Sequence, residues 1–429
     1  MVLHIKYSGE MKNLRWYIGG LLCLSTALNF LDRQTLSVLA GSIQRELRLS
    51  DVQYSWITSS FLVSYTAMYF VSGRIVDRIG VRKAFLVAVS GWSLVSMLHA
   101  VVHNLAQLIG VRFFLGLFES ANYPAGVRAI AEWFPVQERA LGVGLFSSGA
   151  AWGGALAAPL VSLLTFYFGW RAAFSWTGLL GFFWIAAWST LYRRNREPAL
   201  QDPGDRATVL KPLPLRTLLK IRQTWGCVAA RVLIDPVSYF LNFWIPKYLE
   251  QSHHFSLLEL GEFAWLPFAG NSLGNLLGGA IPLQLVARGW SVNRARKFTM
   301  TVASALAAGF GIALSVAQPS WLAVICVSGL GFGHGLWGNV ALPAEVLPEQ
   351  AVATVSGLGG TLGGIAGIGT QLGIGLLLKQ LSFGWLFASC GCFYFVALIL
   401  THWMAGEIGI IATISSTEAV VQSRIISNL

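Results

Sequence analysis

The sequence carries charged side chains inside long apolar stretches, where charge is unfavourable. On insertion scales a charged residue at the centre of a membrane helix costs about 2.5–3.5 kcal/mol. Residues kept there either pair with one another or mark the route of a substrate, ion or proton. Six residues have this character: Asp32, Arg33, Arg112, Glu119, Arg231 and Asp235. They predict either ion pairs that lock helices together or a site that binds an anion and transfers protons.

The spacing of the first four charges favours a binding site. Asp32 and Arg33 are adjacent, so on a helix they project about 100° apart. Arg112 and Glu119 are seven positions apart and therefore share one helix face. If the helix with Asp32 runs outward and the helix with Arg112 runs inward, these two residues lie at similar depth. We expect Asp32 to pair with Arg112, which leaves Arg33 free to bind a carboxylate through its bidentate fork.

Glu119 and the last two of the six charges suggest proton transfer and movement. Glu119 is expected near the middle of the membrane, where acidic residues form proton relays. Arg231 lies four positions before Asp235, so the two can pair on one face of a helix. We expect Glu119 to carry a proton and the pair of Arg231 and Asp235 to break and re-form during movement.

Apolar helices would position these residues. Of 429 residues, 55% are hydrophobic and 11% are charged, whereas a soluble protein carries about 25% charged residues. Much of the surface must therefore contact a lipid bilayer. Apolar runs between charged or turn-rich loops predict an all-α, polytopic membrane protein with twelve transmembrane helices. The expected spans are 15–40, 52–75, 83–104, 107–131, 140–168, 172–192, 222–249, 258–287, 296–318, 320–345, 350–378 and 383–405.

Positive charge is concentrated in every second loop. This distribution predicts that these loops and both termini are cytoplasmic, and it accounts for the net charge of +11 without nucleic acid binding. The exception is the loop with Glu345 and Glu349, which is expected inside and yet is acidic. The basic residues concerned are Lys6, Lys12, Arg15, Arg74, Arg78, Arg82, Lys83, Arg193, Arg194, Arg196, Lys211, Arg216, Lys220, Arg222, Arg288, Arg294, Arg296 and Lys297.

A polar segment at 193–220, rich in proline and charge, divides the helices into two sets of six. Two six-helix halves around a central cleft suit transport by alternating access. The expected boundaries are 1–192 for the N-terminal half, 193–221 for a cytoplasmic linker, 222–405 for the C-terminal half and 406–429 for a cytoplasmic tail.

A loop motif supports the division into halves. It reads Gly73-Arg-Ile-Val-Asp77-Arg78-Ile-Gly80-Val-Arg82-Lys83, and a second cationic turn at 288–297 also ends in a basic pair. Glycine fits a tight turn, and the basic residues can meet helix C-termini or pair with a neighbouring carboxylate. The expected structural or gating residues are Gly73, Asp77, Arg78, Arg82, Arg231 and Asp235.

The spacing of this motif resembles the loop motif of the major facilitator superfamily. Further stretches resemble the anion:cation symporter family within it, and among its members the sugar-acid (hexuronate or aldonate) transporters. These stretches are 29–33, 112–124, 235–236, 243–248 and 288–297. The resemblance implies that Asp32 and Glu119 take up protons and that Arg33 holds the anion.

The same resemblance suggests polar partners for the substrate. Tyr65 is either a hydrogen-bond donor to the substrate or a packed tyrosine. Ser147 and Ser148 stand where sugar-acid relatives commonly carry asparagine, and Ser272 replaces an expected aspartate. His334 is either a structural residue or a proton relay, and the segment before Asn339 is one residue shorter than in the family. The expected substrate contacts are Arg33, Tyr65, Arg112, Ser147, Trp244, His334 and Asn339.

We therefore expect a monomeric symporter in the cytoplasmic (inner) membrane that imports a small organic anion, such as a sugar acid, with protons. A carrier of another carboxylate (a dicarboxylate or an aromatic acid) and a non-transporting sensor of the same fold are the alternatives. We expect no metal and no cofactor. An enzyme is disfavoured because the seven histidines offer no third metal ligand or base at a fitting spacing.

Overall fold

The computed structural model describes residues 2–134, 138–192, 213–316, 319–338 and 342–408, which are helical and contain no strand. This confirms the all-α expectation. The helices up to residue 191 are α1 (Val2–Val38), α2 (Ala40–Leu47), α3 (Asp51–Ile79), α4 (Val81–Leu98), α5 (Leu105–Glu119), α6 (Asn122–Trp133) and α7 (Arg139–Leu191). The later helices are α8 (Leu215–Leu218), α9 (Arg222–His253), α10 (Leu257–Phe263), α11 (Leu266–Ala287), α12 (Val292–Val316), α13 (Ser320–Trp337), α14 (Leu342–Val346), α15 (Glu349–Leu377) and α16 (Phe383–Ala405).

Eight helical stretches of the described residues are long and apolar enough to cross a membrane. They lie in α1, α4, α7, α9, α12, α13 to α14, α15 and α16. Each matches a span expected from the sequence, except that α7 covers two expected spans, 140–168 and 172–192.

Helix α7 turns a corner at Gly169. The glycine has φ 80° and ψ 162°, a backbone conformation that side chains with a Cβ atom disfavour. The corner separates two helices where the sequence predicts a loop. Beyond it, the indole N–H of Trp170 donates to Glu46 of α2 at 2.5 Å, and Arg171 pairs with the same carboxylate. Helix α2 therefore helps to fix the corner.

The expected span 107–131 is interrupted directly after Glu119. Helix α5 ends there, and α6 begins at Asn122. Pro124 has no amide hydrogen and so cannot continue the helical bond to the carbonyl of Ser120. That carbonyl instead accepts a hydrogen bond from the hydroxyl of Ser72 in α3, at 3.4 Å. The break leaves Glu119 at a helix end rather than in a helix interior.

Two other expected spans are also interrupted. Span 258–287 divides between α10 and α11, and Pro267 lies in the first turn of α11, where a missing amide hydrogen is tolerated. Span 320–345 divides after α13, where Gly338 has φ 65°.

The helices pack in two sets. Helix α1 packs on α7, α3 on α5, and α4 on both α5 and α7. In the later part of the chain, α9 packs on α15 and α16, α11 on α13, and α12 on α13 and α16. The sets meet mainly through α3 with α15, α10 with α7 and α1 with α9. Helices α1, α3, α9 and α15 therefore run along the boundary between the two sets.

A buried arginine accounts for the acidic loop that departs from the charge pattern. Arg296 of α12 pairs with Glu345 of α14 at 2.7 Å. Its other guanidinium nitrogens donate to the carbonyls of Gly278 (3.0 Å) and Gly338 (2.9 Å). Glu345 is thus the counter-ion of a buried arginine, so its presence does not oppose the positive charge of the neighbouring loops.

The loop motif lies at the junction of α3 and α4. Gly80 has φ 81° there, as a tight turn requires, and Gly73 and Arg78 belong to α3. Arg82 donates to the carbonyl of Ser189 in α7 at 3.0 Å. The side chain of Asp77 lies outside the described part of the structure, so its predicted role stays a prediction.

Candidate functional site

Arg33 is buried in α1 and bound to Glu119. Its guanidinium donates to Oε2 of Glu119 at 3.1 Å and 3.4 Å, and to Oδ1 of Asn29 at 3.2 Å. Arg33 is 8% exposed and Glu119 is 1% exposed. This overturns the expectation that Arg33 is free. Glu119 is the last residue of α5, and its backbone carbonyl also accepts a hydrogen bond from the amide of Asn29 at 3.5 Å.

Three aromatic rings surround the same guanidinium. Its central carbon lies 4.8 Å from the ring centroid of Phe30, 4.9 Å from that of Phe61 and 4.7 Å from that of Tyr65. A cation over an aromatic face is stabilised by the ring quadrupole, more so when it is desolvated. Tyr65 therefore lies beside Arg33, as the prediction of a substrate contact requires, and it also packs on Phe61 at 5.6 Å.

Asp32 and Arg112 do not form the predicted pair. The carboxylate of Asp32 accepts a hydrogen bond from the hydroxyl of Ser96 in α4 at 2.8 Å. Arg112 is fully buried, and none of its guanidinium nitrogens has a hydrogen-bond partner among the described residues. The prediction matched depth along two helices, but the direction in which each side chain points depends on packing around them. Asp32, Arg33 and Glu119 all lie within electrostatic reach of Arg112.

Helices α9 and α13 of the later set also carry charged and polar side chains. Arg231 and Asp235 form the ion pair that their spacing predicts, at 2.8 Å. Tyr239, one further turn along α9, is within electrostatic reach of Arg33. In α13, Nδ1 of His334 lies 2.8 Å from the hydroxyl of Tyr394. Both sets of helices therefore contribute charged or polar side chains to the central region.

The other predicted contacts are less central. Trp244 is fully buried, and its indole N–H donates to Oε1 of Gln371 at 2.6 Å. Ser147 is exposed on α7. Asn339 lies outside the described residues. The structure thus brings together Arg33, Glu119 and Tyr65, with Asp32 and Arg112 beside them.

Two ion pairs join the two sets of helices at one end of the bundle. Arg45 of α2 pairs with Glu250 of α9, and Asp51 of α3 pairs with Lys247 of α9. The side chain of Lys247 is fully buried, and its ammonium lies 5.0 Å from the ring centroid of Tyr54. A buried lysine needs such partners, because an uncompensated buried charge is strongly destabilising.

Neutral hydrogen bonds continue this contact toward the centre. The hydroxyl of Tyr54 donates to the carbonyl of Phe243 at 2.9 Å. The hydroxyl of Ser37 donates to the carbonyl of Asn242 at 2.8 Å, and the amide of Gln34 donates to the side-chain oxygen of Asn242 at 3.2 Å. We call the contact of residues 34–54 with residues 242–250 the closed end.

The closed end is not predicted by the charge pattern of the sequence. One signal was available, because Lys247 and Glu250 are charges at the end of the expected span 222–249. Their partners Arg45 and Asp51 lie in a polar loop region, where charge is ordinary. Only the packing of α9 against α2 and α3 shows which charges meet.

Comparison with known proteins identifies the family. The family model described as Major Facilitator Superfamily matches residues 22–371. The hexuronate transporter of Escherichia coli (strain K12) is 31% identical over 400 residues, which cover 90% of this chain and 92% of that protein. The galacturonate transporter of Dickeya chrysanthemi is 31% identical over 355 residues, covering 80% of this chain and 99% of that one.

A solved structure has the same fold. It is a bacterial homolog of the human lysosomal transporter Spinster, in an inward-facing and unoccupied conformation. It superposes with a TM-score of 0.77 at 17% identity and covers 92% of this chain and 98% of that chain. The chain belongs to the Major Facilitator Superfamily and is a multi-pass membrane transporter rather than an enzyme.

Proposed function

We propose that this chain is a symporter that imports a sugar acid, such as a hexuronate or an aldonate, together with protons. The observation that carries the proposal is the buried pair of Arg33 and Glu119 within a cage of aromatic rings. An arginine fork matches the geometry of a carboxylate and stays charged at any cellular pH. The names of the relatives, a hexuronate transporter and a galacturonate transporter, support a sugar acid as its ligand.

Protonation of Glu119 would couple the two substrates. While Glu119 is ionised, it occupies the guanidinium of Arg33 at 3.1 Å. A proton on Glu119 removes this competing negative charge, so Arg33 can bind the carboxylate of the substrate instead. The aromatic rings keep water away from the exchange and strengthen the electrostatic interactions within it. Binding of the anion and binding of the proton therefore favour each other.

Asp32 and Arg112 would supply a second proton site. Arg112 is a buried cation without a hydrogen-bond partner among the described residues, within electrostatic reach of both Asp32 and Glu119. Its charge balances whichever of the two acids is ionised. We therefore propose that protons bind at Asp32 and Glu119 while Arg112 stays charged between them.

We also propose twelve transmembrane helices in two halves of six. Eight apolar stretches are long enough to span, and one of them is α7. Its 53 residues would extend about 80 Å as a straight helix, far beyond a bilayer, so the corner divides α7 into two spans and raises the number to nine. Helix α3, with 29 residues, is about 44 Å long and can also span. The interrupted pairs α5 with α6 and α10 with α11 complete the set.

The distribution of basic residues supports cytoplasmic termini, and bacterial relatives support the inner membrane. In that orientation the closed end faces outward and the substrate site communicates with the cytoplasm. The inward-facing solved structure with the same fold agrees with this state. We propose that the protein acts as a monomer and transports by alternating access, with the closed end opening and re-forming in each cycle.

Uptake by purified protein in liposomes tests the proposal. Labelled galacturonate should accumulate when the outside is made acidic, and accumulation should collapse when a protonophore abolishes the pH gradient. A carrier of another carboxylate would instead ignore galacturonate and respond to a dicarboxylate or an aromatic acid. A sensor without transport activity would bind a ligand and accumulate none.

A further inference from the structure

The segment that leads into α9 exposes apolar side chains on an ordered turn. Leu213 and Leu218 are buried and hold the segment on the bundle, where α8 contacts α15. Leu215 and Leu219 are exposed although they are apolar. The amide of Leu219 donates to the carbonyl of Leu215 at 2.9 Å, so the backbone between them is a helical turn. The two exposed leucines therefore lie on the same face of this turn.

Basic side chains lie beside the exposed leucines. Arg216 and Lys220 are four positions apart and both are exposed, so they share a neighbouring face. Arg222, the first residue of α9, is exposed as well. None of the three pairs with a carboxylate among the described residues. The segment thus presents positive charge that is not neutralised within the described structure.

Two tryptophans lie next to these charges. The guanidinium of Arg222 lies 5.0 Å from the ring centroid of Trp403, near the end of α16, a contact that stabilises the cation. Trp225 is exposed, and its indole N–H donates to the carbonyl of Leu219 at 2.9 Å. Trp403 is exposed too. Tryptophan is enriched at the boundary between the hydrocarbon and the headgroups of a bilayer, so the two indoles indicate the depth of this surface.

The surface lies at the opposite end of the bundle from the closed end. Helix α9 has 32 residues and is about 48 Å long. Arg222 is its first residue, and Lys247 in its last turns belongs to the closed end. The start of α9 packs on the end of α16, where a Cβ atom at Gly226 would lie 3.0 Å from the amide nitrogen of Ala405. In the orientation proposed above, this end faces the cytoplasm.

An anionic phospholipid supplies both kinds of contact that this surface needs. Its phosphate is negative, and arginine and lysine both bind phosphate. Its acyl chains can cover leucine side chains that would otherwise face water. Segments with basic residues on one face and leucine or tryptophan on the other lie in the membrane interface and are attracted to anionic lipids. A free phosphate ion would use the charges and leave the leucines exposed.

We infer that segment 215–225 and Trp403 form a binding site for an anionic phospholipid. The three basic residues hold its phosphate, and the two exposed leucines contact its acyl chains. The site lies outside the central region and shares no residue with the cluster around Arg33. It therefore goes beyond the proposed function and does not depend on what the protein transports.

Native mass spectrometry of the purified full chain tests the inference. The detergent micelles would contain equal amounts of phosphatidylglycerol, which is anionic, and phosphatidylcholine, which has no net charge, with the same acyl chains. We expect the wild type to retain phosphatidylglycerol at least threefold more often than phosphatidylcholine. Lys220→Gln with Arg222→Gln removes two charges of the site and should abolish this preference. Lys220→Gln alone, which leaves the contact of Arg222 with Trp403 intact, should lower the preference at least twofold.

A matched control removes two exposed charges at the other end of the bundle. Arg48 directly follows α2, and Lys379 follows α15, whose Gly375 packs on Ser55 of α3. Both side chains are exposed. Arg48→Gln with Lys379→Gln should keep the preference of the wild type, and circular dichroism would check that each variant is folded.

Three results would overturn the site. The wild type could retain the two lipids equally, or folded Lys220→Gln with Arg222→Gln could keep the full preference for phosphatidylglycerol. Inorganic phosphate at millimolar concentration should not displace the lipid, because it cannot cover the leucines. Displacement would identify a site for a phosphate ion instead. None of these measurements involves transport, so failure of the lipid site and failure of the proposed function are separate outcomes.

Discussion

Among the described residues, the guanidinium of Arg33 donates to side chains alone, and this distinguishes it from that of Arg296. Arg296 is also buried and paired, but two of its nitrogens bind backbone carbonyls of Gly278 and Gly338, which never change charge. The partners of Arg33 are Glu119 and a neutral amide of Asn29. Protonation of one carboxyl group can therefore release Arg33, whereas Arg296 stays fixed as part of the structure.

Replacing Arg33 by lysine tests the need for a guanidinium fork. Arg33→Lys keeps the charge but cannot bind a carboxylate through two parallel hydrogen bonds. We expect galacturonate binding to weaken at least tenfold while the protein stays folded. Thermal stabilisation by galacturonate measures this. Arg294→Lys, at an exposed arginine that stacks on Trp290, is the control and should bind normally. Near-native affinity of the Arg33 variant would show that Arg33 does not bind the carboxylate of the substrate.

Replacing Glu119 by glutamine tests proton coupling. Glu119→Gln mimics the protonated acid and is nearly isosteric, so folding and anion binding should persist. Accumulation driven by a pH gradient should be lost, because the carrier cannot release a proton and reset. Exchange of labelled for unlabelled galacturonate should continue, since it needs only the loaded carrier to change conformation. Glu262→Gln, at an exposed glutamate, should affect neither. Preserved gradient-driven uptake in the Glu119 variant would show that Glu119 does not carry the coupled proton and would leave Asp32 as the proton site.

The sequence identifies the residues of the charge cluster but not their pairing. The sequence reveals Arg33, Glu119, Asp32 and Arg112 because a charged side chain inside an apolar span is unfavourable in free energy, whichever way it points. Pairing depends on the direction in which each side chain points in the packed bundle and on the hydroxyl of Ser96 that donates to Asp32. Serine in an apolar helix is common and gives no such signal, so the partner of Asp32 could not be predicted from the chain alone.

Helix α9 contributes to three parts of the molecule along its length. Arg231 and Asp235 pair in its first half, Tyr239 near its middle lies within electrostatic reach of Arg33, and its last turns form most of the closed end. Asp235 is packed tightly on α15, where a Cβ atom at Gly363 would lie 2.4 Å from its carboxylate. Movement of α9 relative to α1 and α3 would therefore change the site and the closed end together.

The ion pair on α9 can be tested with a double-mutant cycle. Arg231→Ala alone leaves the buried carboxylate of Asp235 without its arginine, so uptake should fall strongly. The double variant Arg231→Ala with Asp235→Asn removes both charges and should recover part of the activity. Uptake rates of the wild type, both single variants and the double variant complete the cycle. Additive effects would count against coupling between the two residues.

A single methyl group should weaken the closed end. A Cβ atom at Gly41 would lie 1.7 Å from the carboxylate of Glu250, so Gly41→Ala must displace Glu250 from Arg45. We expect the outward-open state to gain population, and Thr58→Cys, buried beside α15, should then react several-fold faster with an impermeant maleimide added outside cells. Gly110→Ala is the matched control, because no atom lies within 4 Å of its Cβ position. Equal labelling in both variants would show that this ion pair does not hold the closed end.

At the scale of the whole molecule, the long apolar spans were predictable and the breaks in them were not. Hydropathy marks a span because twenty apolar residues have no other stable environment. The breaks at 120–121 and 264–265 depend on single prolines near helix starts, which are also common in continuous membrane helices. The corner at Gly169 was the exception, since the sequence leaves 169–171 between two apolar runs. One of these breaks directly follows Glu119, the residue that pairs with Arg33.

The number of protons per cycle determines how the whole carrier responds to the membrane potential. One unit of charge crossing 100 mV is worth about 2.3 kcal/mol, roughly a fifty-fold change in accumulation. Two protons at Asp32 and Glu119 with one monovalent anion make a net charge of +1, so an inside-negative potential should increase the accumulation of galacturonate. A sugar acid with two carboxylates would move with the same two protons without net charge, and its accumulation should not respond. Liposomes with a potassium gradient and valinomycin, at fixed pH gradient, measure both cases.

Asp32→Asn should abolish the response to potential for galacturonate while uptake driven by the pH gradient continues through Glu119. A galacturonate accumulation that is indifferent to potential in the wild type would mean that only one proton moves, and it would leave Asp32 a structural role beside Ser96.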